Sequence, residues 1–181
     1  MVHFLLIPMI LAIVNIEPTT YDYIKYLSPR IKTNYAMEIA NTIDSECIDL
    51  DNKLVVTIIY KESDFHEDAI NCQSHDIGLM QINRRTWQKN FDVNLSELFD
   101  KRKNIEIGCE ILRHYRDRKA ERFKASWYSF YHSSTWQYRE PYWNSVRKIM
   151  KRLDRYDKKF PQKPKIVACK SCDCKASPCQ Q

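Results

Sequence analysis

A chain of 181 residues with only two glycines has few places where its backbone can turn left-handed or pass through a crowded point, so the positions of those two constrain the fold strongly. One of them, Gly78, stands in Asp76-Ile77-Gly78-Leu79-Met80-Gln81-Ile82-Asn83, where a positive φ or a close approach of backbone to a ligand is expected. Sixteen residues upstream, Lys61-Glu62-Ser63-Asp64-Phe65 closes an apolar run. Leu54, Ile58 and Glu62 are four apart, with Val55 and Ile59 alongside, so Glu62 falls on or near the helix face that enters the core. A carboxylate at the end of an apolar helix, followed by a polar turn holding a glycine, specifies a cleft built around one acid. Burial disfavours the charged carboxylate and raises its pKa. A carboxyl group kept neutral near pH 7 can serve as a general acid.

The length suits one domain of about 130 residues plus tails, large enough to bury a core without staples. Apolar spacing predicts mainly α structure: helices over Asn34–Ser45, from a cap at Asp49 or Asp51 to Glu62, over Asn104–Ala120, Phe123–Tyr131 and Tyr142–Tyr156. Residues 17–33, with Pro18 and Pro29, read as a loose lead-in, and 66–83 as polar and irregular. No alternating strand pattern appears, although the β-branched run Leu54–Tyr60 leaves a strand open there. Eleven tyrosines and four tryptophans suit a sugar groove as well as a core.

The two ends differ from the body. Phe4–Val14 is too short to span a membrane comfortably and has the length of a signal-peptide apolar region, so 1–18 is read as a signal peptide or an uncleaved anchor. Near Phe160 the sequence shifts to Pro-Gln-Lys-Pro-Lys, so 158–181 is read as a flexible Pro/Lys linker and Cys-rich tail. From Arg139 onward there are twelve Lys/Arg against four Asp/Glu, a net of +8, which leaves −2 for the rest. Such an end suits an anionic envelope surface, nucleic acid or simply a solvated helix face and tail. Seven cysteines divide into three in the body and four in the tail. Export favours disulfides, and Cys47, Cys72 and Cys109 can form one bridge whose pairing the spacing leaves open. The tail spacing Cys-x2-Cys-x-Cys-x4-Cys matches no common zinc site, so disulfides or cross-links to a partner are expected there.

Four motifs in order resemble the lytic transglycosylases. They are Glu62-Ser63-x-Phe65; Ala69-Ile70-Asn71 with Asp76 to Asn83; Asn104-Ile105-x-Ile107-Gly108-Cys109-x-Ile111-Leu112; and Tyr131-His132-Ser133-Ser134-Thr135 with Tyr142 downstream. The variant is similar to the soluble-lytic-transglycosylase-like proteins that accompany secretion and conjugation systems. The resemblance implies a lysozyme-like domain over 34–157, with peptidoglycan as substrate and no cofactor or metal. It implies cleavage between N-acetylmuramic acid and N-acetylglucosamine with closure of a 1,6-anhydro ring, opening the wall for an apparatus. Glu62 would be the acid and later the base, and Ser63 would orient it. Gly78 would let the backbone approach the sugar, Met80 and Gln81 would line the cleft, and Tyr131 would hydrogen-bond near Glu62. His132 replaces the asparagine of the commoner motif and has no second His or Cys at helical spacing to share a metal. Ser134 stands in place of the last motif glycine, and His75 where an aromatic is common. The expected location is the periplasm or cell envelope, with apparatus proteins as partners through the tail and no role for nucleic acid. Two rivals stand beside this reading. One is a hydrolytic muramidase that activates water with Asp64, Asp68 or Asp76, and the other a wall-binding scaffold with little catalysis.

Overall fold

The β-branched run Leu54–Tyr60 is helical, and its surroundings decide this. In the computed structural model, which describes residues 17–160, α3 (Asn52–Ser63) packs against α1 (Thr20–Leu27), α2 (Thr33–Glu46) and α6 (Trp136–Asp157). Leu54 to Ile59 are all buried, so the middle of α3 is sealed on every side, and the packing overrides the strand preference of Val and Ile. Asp51 caps the helix by accepting from Lys53 N at 2.9 Å. The last turn ends at Asp64 and Phe65, both with positive φ (50° and 63°), which swings the chain sharply away from the helix axis.

After that turn come three two-residue strands, β1 (Ile70–Asn71), β2 (Asp76–Ile77) and β3 (Ile82–Asn83), paired antiparallel in that order. They were not legible as strands because two residues carry no alternation. Helix α4 (Arg84–Phe91) follows, then a 3-10 turn and α5 (Lys101–Phe123), a 3-10 segment (Lys124–Tyr131) and α6. The fold is mainly helical, as the apolar spacing predicts, and consistent with a lysozyme-like domain.

The lead-in expected over 17–33 holds a helix instead. Thr19 and Asp22 form a reciprocal capping box, and α1 then buries Tyr23, Ile24 and Leu27 within the compact unit Pro18–Lys159. The Thr-x-x-Asp signal was present in the sequence. The Pro and Thr residues before it favoured a loop reading. Of the three body cysteines, Cys47 and Cys109 form the bridge and Cys72 is free and exposed. The bond joins the C-terminus of α2 to α5 across 62 residues, and a loop of that length corresponds to about 4 kcal/mol of stabilisation in the chain-entropy account. The apolar segment Phe4–Val14 and the tail cysteines lie outside the described residues.

Candidate active site

Glu62 occupies the last turn of α3, where the chain is about to leave the core. Its Oε1 is shut away from water and accepts no hydrogen bond among the described residues. That burial pushes the carboxyl up to about 7; Tyr142 and Lys61 hold it down in part, and Asp76 adds to the rise. The Tyr142 hydroxyl faces the carboxyl, yet neither oxygen closes a hydrogen bond of ordinary geometry. The acid is therefore poised to carry a proton at neutral pH and is held by shape more than by polar partners.

A cleft of about 370 Å³ opens beside Glu62. Asp76 and Asn83 come from the small sheet, Trp87 from α4, Tyr115 from α5, and Tyr131 and His132 from the 3-10 segment and its cap. Trp87 meets Tyr115 edge-on at 6.3 Å, and Tyr115 stacks on Phe130 at 6.1 Å, giving one wall of aromatic faces. Opposite in character is the polar wall: Asn83 Nδ2 donates to Asp76 Oδ1 and to the Ser74 carbonyl, both at 2.7 Å. Asn83 Oδ1 in turn accepts from Thr86 N at 2.9 Å and so caps α4. His132 lies flat on the Tyr142 ring at 4.6 Å, and burial lowers its pKa, with Lys61 adding to the effect.

The six residues expected at the site divide by depth. Glu62, Gln81 and Tyr131 line the cleft. Ser63, Gly78 and Met80 lie beneath it as the support of its floor. Ser63 Oγ donates to the Leu79 carbonyl at 2.8 Å and so fastens the glycine loop to the end of α3. Met80 is fully buried against Gly108, where an added Cβ would stand 2.2 Å from the Met80 sulfur. Gly78 has φ +78°, and a Cβ there would fall 2.3 Å from Asn104 Nδ2 and 2.6 Å from the Leu98 carbonyl. The crowding that requires glycine comes from inside the protein. Gln81, itself at φ 47°, donates through Nε2 to the carbonyls of Ala69 and Gly78 at 3.1 and 3.0 Å. Tyr131 donates to the Met80 carbonyl at 2.7 Å, so it grips the loop next to Glu62 instead of Glu62 itself.

The residue to which sequence reasoning gave no role of its own is Asn104, the first of its motif. It is buried in α5, accepts from Met80 N at 2.7 Å, and donates to the carbonyls of Ile77 and Leu98 at 2.9 and 2.8 Å. One amide thus fixes the loop at two points and ties it to the 3-10 turn that holds Leu98. The signal that could have found it is a lone Asn on an otherwise apolar helix face, since a buried amide demands partners. Of the three carboxylates weighed as a second catalytic group, Asp76 lines the cleft, whereas Asp64 lines a separate hollow with Tyr60 and Lys61, and Asp68 is exposed away from the cleft lining. Among the described residues no cluster of His, Cys, Asp and Glu could hold a metal ion.

The family model described as Transglycosylase SLT domain matches residues 44–134. That span begins near the end of α2, stops just before α6, and includes Glu62, the glycine loop and Tyr131. No curated protein and no solved structure matches the chain.

Proposed function

Starting from a chain that belongs to the transglycosylase SLT domain family, we propose that it cleaves peptidoglycan glycan strands between N-acetylmuramic acid and N-acetylglucosamine and closes a 1,6-anhydro ring on the muramic residue. The observation that carries this reading is Glu62, a carboxyl pushed up to about 7 by burial at the edge of an aromatic-walled cleft. Protonated, it gives its proton to the bridging oxygen as the glycosidic bond breaks. The positive charge developing at C1 is met by the sugar's own acetamido group. Glu62, now a carboxylate, takes the proton of the C6 hydroxyl, whose oxygen bonds to C1. Attack from within the same sugar gains from proximity, and no water is consumed. The product test is muropeptide mass spectrometry in oxygen-18 water. Anhydro ends without label are expected, and reducing ends with one labelled oxygen per cut would refute ring closure.

A second reading keeps one observation in its favour. Asp76 lines the same cleft and its charge raises the Glu62 pKa, so a carboxylate stands where water could be activated. The oxygen-18 result separates the two, since labelled reducing ends would make Asp76 the group to substitute next.

We further propose export to the periplasm or cell envelope. The apolar segment Phe4–Val14 and the Cys47–Cys109 bridge both support it. A periplasm-dependent reporter fused after residue 35 should be active, and an inactive fusion retained in the cytoplasm would argue against export. Resemblance to the secretion-associated variant supports a role in opening the wall for such an apparatus. A deletion strain whose secretion or conjugation fell by at least tenfold would bear this out; unchanged transfer would remove it.

A further inference from the structure

The cleft does not end at His132. His132 also lines a shallow hollow with Tyr138, Pro141 and Lys61. Lys61 and Ser145 carry this hollow into a second, bordered by Lys148 and Arg152. Lys148 in turn borders a third, with Lys151, Arg155 and Lys158. Each hollow shares a lining residue with the next, so a row of adjoining hollows leads from the cleft along α6. From Tyr138 to Lys158 the helix rises about 30 Å.

The face they line is cationic. Arg147, Lys148, Lys151, Arg155 and Lys158 are exposed, and none of the five has a carboxylate partner among the described residues. Of the three acids on this stretch of α6, Glu140 is exposed near its start, and Asp154 and Asp157 are both held by Lys53, at 2.8 and 3.0 Å. Asp64 is the other carboxylate that borders the three hollows. Like charges three and four residues apart on a helix repel one another and weaken it, so this row is a cost to the fold alone. An anionic ligand laid along the face would relieve the repulsion and be drawn in by it.

We propose that this face binds the carboxylate-bearing peptide stems of the strand being cut, so that the protein prefers glycan with anionic stems over bare glycan. The proposal rests on the peptidoglycan reading above. Continuity with the cleft through His132 and Lys61 favours the substrate over other anionic polymers, because a strand seated at Glu62 brings its own stems to this face.

The test uses the full chain carrying Lys148→Ala, Lys151→Ala and Arg155→Ala, three exposed substitutions distant from the acid. Cleavage rates are measured on glycan strands with intact stems and on the same strands stripped by an amidase. On stemmed strands KM should rise about tenfold with little change in kcat, as expected for the loss of three solvent-facing charges. On stripped strands neither constant should change. The wild-type preference for stemmed strands should also shrink as salt rises. An equal change on both substrates, or none, overturns the proposal. So does unchanged cleavage combined with lost binding to vesicles of anionic phospholipid, which would assign the face to a membrane. A wild-type protein that cuts neither substrate would defeat the peptidoglycan reading itself, whereas equal cutting of both defeats only the stem site.

Discussion

Glu62→Gln is expected to lower glycan-strand cleavage by about a thousandfold while leaving the fold intact. Glutamine keeps the shape of the side chain and lacks the transferable proton. Activity above a tenth of wild type would remove Glu62 from the role of acid. The same substitution should show a second, independent effect. Burial raises the Glu62 pKa from 4.5 to about 7, so the folded state favours the neutral form. Stability from this group is therefore fully present below pH 4.5 and is lost as pH rises to about 7. Above pH 7 the glutamine variant should be the more stable by about 3 kcal/mol, and below 4.5 the two should converge. Urea unfolding at pH 4 and pH 8 measures the difference. Activity of wild type should fall in the same direction, with kcat/KM decreasing above about 7 as the acid loses its proton. A pH-independent stability difference would mean that the carboxyl is not held neutral by burial.

Asn104→Ala should cost about 3 kcal/mol or more. The substitution strips partners from Met80 N and from the carbonyls of Ile77 and Leu98 at a buried site. Each buried group left unpaired costs about 1–3 kcal/mol. The damage should extend to activity, because Tyr131 holds the same Met80 through its carbonyl and the loop forms the cleft floor. Asn104→Asp is a useful companion. It keeps the size and the oxygen that accepts from Met80, but sets a second oxygen against two carbonyls, and it should be at least as harmful. A loss below 1 kcal/mol in denaturant unfolding of the alanine variant would show that the loop is held by other means.

Much of this protein was open to reading before its structure. The period of apolar residues marks four of the helices, Asp49 or Asp51 marks the start of α3, which the structure caps at Asp51, and the spacing from Leu54 through Ile58 places Glu62 on the core-facing side. These are local facts. A helix is made by neighbours three and four residues apart, and a cap by neighbours two or three apart, so the residues that decide them sit together in the chain.

The tertiary structure decided what depends on distant residues. The sequence could not say which two of Cys47, Cys72 and Cys109 would meet. Nor could it say that Gly78 is a glycine because Asn104, 26 positions later, leaves no room for a Cβ. It marked Asp64, Asp68 and Asp76 alike, and only the fold of the small sheet turned Asp76 into the cleft with Glu62. The loop is held by Asn104 from 24 residues away and by Tyr131 from 51. Both bonds run from a side chain to a backbone atom, and backbone atoms are the same at every position, so no residue type in the loop announces its partner. The sequence by itself determined that there is one acid at the mouth of a buried helix. The packing around that helix alone decided how far its proton is held and what else shares its cleft, because desolvation is set by everything brought near it in space.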